Sequence, residues 1–352
     1  MTVEHDANIT TLGLEGWLHK ARKQTRVSPN RPPVIPITNA VAHPGYTALY
    51  DTDGRRIPDT SMYVMPLNSP AGVVEKFIKA RAPFEPERID LPALANSDQK
   101  IVFGGASNSH FGHHLTDGLS RAWFHSARPT LHLDAHPDML GQREFISTYR
   151  SLGRPRTLYT LEVPTLFAEV IVPMPSMQHS FRIYDNADTE HLAISANALE
   201  LAVRPVAPKV YLSRSGVSNR RTDGELELES ELRRRGFDIV SPETLSIPDQ
   251  IAIFNRAEWV VGSMGSAFHN VFFSQRGAPT KTVQFTWGKP NLRYMMIDWI
   301  KGNKSYYALT MDAQYVDGDV VSTRLRVEDS LAALRKFGAL DDVRLAHSAK
   351  TA

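Results

Sequence analysis

The segment 209-KVYLSRSGVSNRRTDGELELESELRRRGFDIV-240 decides the fold of this chain. It predicts a strand over 209–213, a helix that Thr222 or Asp223 caps and Gly236 ends, and a second strand over 237–240. Acidic residues in the first turn and arginines in the last turn suit the helix dipole. A strand–helix–strand unit of this kind predicts parallel strands joined by a crossover helix.

The same alternation continues on both sides of this segment. Towards the C-terminus we expect a helix opened by a capping box at Ser246, a strand over 259–261, a small-residue turn over 262–267, a helix over 268–274 and a strand over 281–285. Towards the N-terminus, strands over 100–103, 131–133 and 166–172 alternate with helices over 110–125, 141–152 and 189–203. Tyr46–Ile57 reads as a hairpin with an Asp53-Gly54 turn.

We therefore expect an α/β protein with two domains and a cleft between them. The first spans residues 1–205 and includes the hairpin, and the second spans 206–325 after a linker at 206–208. The segment 326–352 carries an amphipathic helix over 327–337 that could pack back on the first domain.

Composition narrows the class of protein. The chain has 352 residues, 42% of them hydrophobic, with 40 Lys and Arg against 38 Asp and Glu, a net charge of +2. This is typical of a soluble globular protein and too even for a dedicated nucleic-acid binder. The absence of cysteine excludes disulfides, thiolate metal sites and cysteine nucleophiles, and fits a reducing compartment.

The N-terminal sequence has no secretory pattern, and no apolar run approaches the ~18 residues of a membrane span. We therefore expect a cytoplasmic protein. The basic cluster Lys20–Lys23 could touch anionic lipid, although a solvated helix end is the favoured interpretation.

Ligands in open α/β sheets bind beyond the carboxyl ends of the strands. Arg214 and Glu243 follow two of the predicted strands, and the turn 263–267 follows a third, with His269 and Asn270 behind it. Small residues at the start of a helix suit a phosphate or diphosphate, and a guanidinium can hold its oxygens.

The first half contributes a different group of residues. His113, Asp117 and Arg121 are spaced i, i+4, i+8, so a helix would place them on one face. A histidine beside a carboxylate suits a general base, and a purely structural pair is the alternative.

A second histidine group suggests a metal site. His132, Asp134 and His136 alternate along a strand end and, with His110 and His113, could bind a metal as in a metal-dependent hydrolase. Polar residues lining a cleft are the favoured interpretation.

Three stretches resemble the family 61 glycosyltransferases. Residues 111–121, FGHHLTDGLSR, are similar to the family's Gly-His-Trp-x-x-Asp/Glu…Arg helix, and 209–236 to its Tyr-x-Ser-Arg…Asn-Glu segment. Residues 241–273, with SPETLSIPDQ and AEWVVGSMGSAFHNVFF, are similar to its Pro-Glu…Gln and Gly-x-His-Gly-Ala-x-x-x-Asn signature. His114 stands in the family's Trp position, Met264 where His is frequent, and Gly224 replaces Asn before Glu225.

The resemblance implies a GT-B-like pair of Rossmann-like domains. It also implies an inverting, metal-independent enzyme without a cofactor, which moves a sugar from a nucleotide-sugar donor to a glycan or lipid-linked acceptor. Bacterial capsule or exopolysaccharide synthesis, in the cytoplasm or at the inner membrane surface, is the implied setting. A nucleotide-binding protein without catalysis remains an alternative.

Residue by residue, the expected catalytic pair is His113, as base, and Asp117, which orients it or serves as base itself. The expected donor-binding residues are Arg214, Glu243, Ser263, Gly265, Ser266, Ala267 and Asn270. Residues of the same stretches with a less defined contribution are Arg121, Arg221, Glu225, Gln250, Met264 and His269.

Overall fold

The computed structural model describes residues 1–61, 84–107, 110–134, 144–178, 182–185, 188–216, 222–316 and 319–340. Over these residues the chain is a mixed α/β protein, which confirms the predicted class. Its longer helices are Trp17–Gln24, Glu144–Leu152, Thr189–Leu201, Glu225–Arg234, Ile247–Arg256, Leu292–Lys301 and Val327–Phe337. No helix of these described segments has the length and apolar character needed to cross a bilayer.

The larger sheet belongs mainly to the second half. Its strands lie in the order Val3–Asp6, Ile9–Leu12, Ser305–Leu309, Lys281–Thr286, Trp259–Ser263, Lys209–Leu212 and Asp238–Val240. All neighbours are parallel except the first pair. The central strands are apolar runs buried on both faces, which is the pattern of a covered parallel sheet. Residues 3–12, which the sequence-based division assigned to the first domain, are thus strands of this sheet.

The second sheet has six strands. Five lie in the order Val34–Ala42, Thr165–Pro173, Ile101–Ser107, Thr130–Asp134 and Leu158–Tyr159, and Ala95–Ser97 also pairs with Thr165–Pro173. Only Val34–Ala42 runs antiparallel to its neighbour in this sheet. Two three-stranded sheets complete the fold: Met177–Gln178, Arg182–Tyr184 and Arg26–Ser28, and Thr222–Asp223, Asp319–Leu325 and Met311–Val316.

One of the two predicted helix N-caps is confirmed and the other is wrong. Ser246 caps Ile247–Arg256, since its hydroxyl accepts a hydrogen bond from the Asp249 amide, as predicted. Neither Thr222 nor Asp223 caps Glu225–Arg234, because both form a strand paired with Thr323 and Arg324. Gly224 makes the turn instead, with φ 81°, and a Cβ at this position would lie 2.9 Å from the Leu325 carbonyl oxygen.

One hydrophobic core joins the two halves. Leu115 and Ile194 from the first half share it with Ile251 and Phe272 from the second. The ring of Tyr149 stacks on Phe273 with centroids 5.2 Å apart. Packed helices from both halves therefore hold the two walls of the cleft in position.

The C-terminal helix Val327–Phe337 has the predicted bounds. Its apolar face joins the core beneath the larger sheet, where Phe337 lies 4.7 Å from the ring of Tyr306. The Asp53-Gly54 turn is present: Tyr50 and Arg56 form an antiparallel bridge, and Gly54 has φ 75°.

Candidate active site

A cleft of about 1240 Å³ opens at the carboxyl ends of the larger sheet's strands. Residues that follow five strands of the larger sheet line it: Ser213, Pro242, Met264, Trp287 and Met311. This is the edge at which an open α/β sheet binds ligands. The first half closes the opposite wall with His110–His113 and Glu144–Thr148.

Most of the sequence-predicted site residues line this one cleft: His113, Arg214, Glu243, Gln250, Ser263, Met264, Gly265, Ser266, Ala267 and His269. Asp117, Asn270 and Glu225 lie directly behind them, and Arg121 does not reach the cleft. Arg221 lies outside the described residues.

The loop after strand Trp259–Ser263 allows the Arg214 side chain to lie close to its backbone. Gly265 leaves room for the Arg214 guanidinium, since a Cβ at this glycine would lie 2.9 Å from Arg214 Nη1. The Met264 amide donates to the Phe285 carbonyl at 2.8 Å, which ties the loop to the neighbouring strand. The 3₁₀ helix Ser266–Phe273 begins here, so Arg214 and the free amides of a helix start meet at one point.

Glu225 positions Arg214 from behind. Its Oε1 accepts hydrogen bonds from the Tyr211 hydroxyl at 2.8 Å and from the Arg214 amide at 3.1 Å. Burial raises the pKa of Glu225. Its contribution is to hold the backbone of Arg214 in place.

Asn270 and Gln250 brace the same loop. The Asn270 side-chain amide donates to the Ala267 carbonyl at 3.1 Å and to Gln250 Oε1 at 3.3 Å. Its carbonyl oxygen accepts from the Tyr149 hydroxyl at 3.1 Å. Because Tyr149 belongs to the first half, this contact links the loop after strand Trp259–Ser263 to the opposite wall of the cleft.

His113 and Asp117 form the expected pair: His113 Nδ1 lies 2.7 Å from Asp117 Oδ2. The Asp117 side chain is buried, while the His113 side chain is 36% exposed towards the cleft. With Nδ1–H donated to the carboxylate, Nε2 is the ring nitrogen that can accept a proton.

Arg293 completes this pair, and sequence reasoning missed it. Its Nη1 lies 3.0 Å from Asp117 Oδ2, 3.1 Å from Thr116 Oγ1 and 3.1 Å from His113 Nδ1. Arg293 is 4% exposed and lies in the first turn of Leu292–Lys301, after the Asn291 cap. No motif marked it; an Asn cap before an amphipathic segment was the available signal for the helix.

The prediction that Arg121 shares a helix face with His113 and Asp117 is wrong. The helix that starts at Phe111 widens into a π-helix over His114–Gly118, where the Leu119 amide donates to the His114 carbonyl. A π turn rotates later residues off the i, i+4 face. Arg121 instead donates to the carbonyls of Pro173, in the second sheet, and Ser61.

His269 lines the cleft with a side chain that is almost fully buried. Its ring stacks on Tyr294, with centroids 4.4 Å apart and planes at 9°. Burial, then the charges of Arg293 and His113, lower the pKa of His269 to about 3. Gly112 lets the two halves meet here, since a Cβ would lie 2.9 Å from His269 Nδ1.

The described residues hold no group of three His, Asp or Glu side chains that could bind a metal. His110 and His113 make a ring contact at 5.1 Å, but His132 lies apart from them, in a strand of the second sheet, and lines a different cavity. His136 lies outside the described residues. The hydrolase alternative therefore has no support in the described structure.

Comparison with known proteins agrees with this geometry. Residues 111–283 match the family model described as Glycosyltransferase 61. The match begins at the His113 helix and ends in the strand after the Met264 loop, so it includes residues from both walls of the cleft but not Arg293. No curated protein matches the chain. The chain therefore carries a glycosyltransferase domain of family 61 over residues 111–283.

Proposed function

We propose that this protein is an inverting glycosyltransferase that moves a sugar from a nucleotide-sugar donor to a hydroxyl of a glycan or lipid-linked acceptor. The observation that carries the proposal is that one cleft holds a histidine–carboxylate pair on one wall and an arginine over a glycine loop on the other. Such a cleft can bind an anionic leaving group and deprotonate a hydroxyl opposite it.

The donor diphosphate would lie on Arg214 and the backbone of Ser263–Ala267. Arg214 and the amides at the start of Ser266–Phe273 would stabilise the charge that develops on the leaving diphosphate. Glu243, exposed at the cleft rim and close to Gly216, would accept hydrogen bonds from ribose hydroxyls.

His113 is the proposed base. The acceptor oxygen would attack the anomeric carbon as the bond to the diphosphate breaks, and His113 Nε2 would take the hydroxyl proton. Asp117 is the weaker candidate, because its Oδ2 already contacts His113, Thr116 and Arg293 and its side chain is almost fully buried.

Arg293 would act through this pair without touching the substrate. Its positive charge keeps the buried Asp117 ionised, because an unpaired buried carboxylate is costly. An ionised Asp117 in turn orients His113 and stabilises the imidazolium that forms during transfer.

We propose a GT-B-like arrangement, supported by two mainly parallel sheets that flank one cleft. We also propose transfer without a metal or cofactor, since Arg214 and the loop amides supply the positive potential. Surface polysaccharide synthesis, in the cytoplasm or at the face of the inner membrane, is the proposed setting. The proposed function does not involve binding of nucleic acid.

A thermal-shift panel of UDP, GDP, CMP and dTDP with their sugars, each with and without EDTA, tests the proposal. A ligand at 100 times its dissociation constant stabilises the folded state by about 2.7 kcal/mol. Stabilisation by one nucleotide, unchanged by EDTA, is expected and would name the donor. Binding without sugar transfer would favour a non-catalytic protein, and a response to EDTA alone would overturn the donor site.

A further inference from the structure

A second cavity, of about 100 Å³, lies in the first half between its sheet and the helices above it. Ser107 and His132 reach it from neighbouring strands, His114 from the π-helix, and Arg150 from Glu144–Leu152. One water needs roughly 10–15 Å³ of such volume, so the cavity has room for a small polyatomic ligand.

Arg150 enters this cavity without an acidic partner. Its Nη2 donates to the Ser107 hydroxyl at 2.7 Å, and within the described part of the chain no carboxylate pairs with it. A guanidinium held by one neutral hydroxyl keeps further N–H donors for a ligand.

The neighbouring carboxylate is already neutralised. Glu190, the acidic residue among the described lining residues, accepts from Arg154 Nε at 2.8 Å and from Arg156 Nη2 at 3.3 Å. The lining therefore carries more positive than negative charge, even with Glu190 ionised.

His114 supplies an independent observation. It is 2% exposed, lines the cavity, and has no hydrogen-bond partner for either ring nitrogen among the described residues. A buried polar group without a partner is uncommon in native structures and points to a missing ligand or water.

The pKa values of His114 and His132 are consistent with a positive electrostatic potential in the cavity. Burial and then Arg150 lower the pKa of His114 to about 3. Burial and then Arg150 and Arg156 lower the pKa of His132 to about 3. Both rings are therefore neutral at pH 7, and each offers an N–H donor to a positive, donor-rich space.

We propose that this cavity binds a small tetrahedral oxyanion, such as inorganic phosphate or sulfate, on Arg150, Ser107, His114 and His132. An oxyanion satisfies a site with many donors and few acceptors, whereas a cation or an apolar ligand would leave the donors unpaired. The site is separate from the donor cleft, because Arg214 and the Met264 loop do not line it.

The proposed anion site would affect the active site through residues that connect the two. His114 directly follows His113, and its ring contacts Phe145, which lines the donor cleft. A bound anion would fix the π-helix that carries the His113–Asp117 pair.

Isothermal titration with sodium sulfate and sodium phosphate, at ionic strength held constant with sodium chloride, tests the proposal on the full chain. The Arg214→Ala variant is the working background, because it removes the cleft's own anion-binding arginine. We expect binding to persist in this background and to weaken at least tenfold when Arg150→Gln is added. Arg128→Gln, which removes a surface arginine paired with Glu169 in the same half, is the matched control and should leave binding unchanged.

Histidine side-chain NMR gives a second readout, in which the signals of His114 and His132 move on sulfate addition. Anion binding that Arg150→Gln leaves intact, or that Arg214→Ala alone abolishes, would overturn the proposal. Absence of any binding in the Arg214→Ala background would overturn it too. These outcomes are independent of the proposed transferase, which is judged by nucleotide binding and sugar transfer.

Discussion

Arg293 Nη1 lies 3.0 Å from Asp117 Oδ2, although 176 residues separate the two along the chain. Asp117 belongs to the half that carries the proposed base, and Arg293 lies in the helix between strands Lys281–Thr286 and Ser305–Leu309 of the larger sheet. The ion pair is buried on both sides, with side chains 5% and 2% exposed. The pair therefore makes the proposed base depend on residues from both halves.

Replacing Arg293 with Gln should lower turnover by about 10- to 100-fold, which is at or below the low end of the roughly 10²- to 10⁴-fold that general-base catalysis contributes, because the base itself remains. Loss of the positive charge beside His113 should move the acid limb of the pH–rate profile to higher pH, and Arg293→Lys should restore part of the rate. KM for the donor should change little. Arg326→Gln, which removes surface ion pairs with Asp312 and Asp329, is the control. An unaltered pH profile in Arg293→Gln would exclude the positioning role.

Replacing His113 with Ala should reduce turnover by about 10²- to 10⁴-fold while nucleotide binding stays intact, because the base contributes to chemistry and not to donor affinity. Asp117→Asn should have a smaller effect, since it leaves the imidazole in place. Single-turnover transfer assays with calorimetric nucleotide titration separate the two effects. A larger loss in Asp117→Asn than in His113→Ala would make Asp117 the base.

Replacing Arg214 with Ala should lower kcat/KM by at least about 100-fold, because the leaving diphosphate loses its guanidinium. Its half-buried side chain lies at the cleft, so the melting temperature should hardly move. Arg234→Ala, on the exposed end of Glu225–Arg234, is the matched control. Activity within threefold of the wild type would contradict the donor-site assignment.

Gly265→Ala should raise KM for the donor severalfold, since its Cβ would lie 2.9 Å from Arg214 Nη1 and displace the guanidinium. Gly288→Ala, in the neighbouring cleft loop, is the matched control because a Cβ there meets nothing within 4 Å. Donor titrations of the two variants test the expectation. Equal KM values would show that the contact between Arg214 and the loop is not needed for donor binding.

Asp298 should make stability depend on pH. Burial raises the pKa of Asp298 from 3.8 to about 7, and its Oδ2 accepts from the Tyr307 hydroxyl at 2.6 Å. The folded chain therefore holds this proton more tightly than the unfolded chain, so the stabilisation is complete below pH 3.8 and is lost as the pH rises through about 7.

The variant Asp298→Asn removes this dependence. Its free energy of unfolding should rise relative to the wild type between pH 5 and pH 8, as measured by urea titration at each pH. Asp312→Asn, at the surface, is the control and should run parallel to the wild type. A constant difference between Asp298→Asn and the wild type would refute the assignment.

The sequence predicted the parts of the fold that local patterns determine. The strands Lys209–Leu212 and Trp259–Ser263 are short apolar runs that end in small or polar residues, and the Ser246 cap is read from four residues. Because the carboxyl ends of parallel strands share an edge, those patterns also predicted that Arg214 and the Met264 loop lie together.

The rest depends on contacts that no local pattern contains. The spacing of His113, Asp117 and Arg121 assumes 3.6 residues per turn, and the π-helix at His114–Gly118 alters that spacing for Arg121. Arg293 reaches Asp117 across the interface between the halves. The strands at Val3–Leu12 are too short to mark a sheet until their partner, Ser305–Leu309, is known.

The pairing of Ile9 with Ser305 also means that the N-terminal strands cannot join the larger sheet until strand Ser305–Leu309 has been translated. The hairpin Val3–Asp6 and Ile9–Leu12 leaves the ribosome well before its neighbour in the larger sheet, Ser305–Leu309, is made. At about 5–20 residues per second, the hairpin waits roughly 15–60 s for its partner. During that interval Ile9 and Leu12, both buried in the finished protein, face water or a chaperone. Nascent chains of this protein should therefore be chaperone clients until strand Ser305–Leu309 emerges.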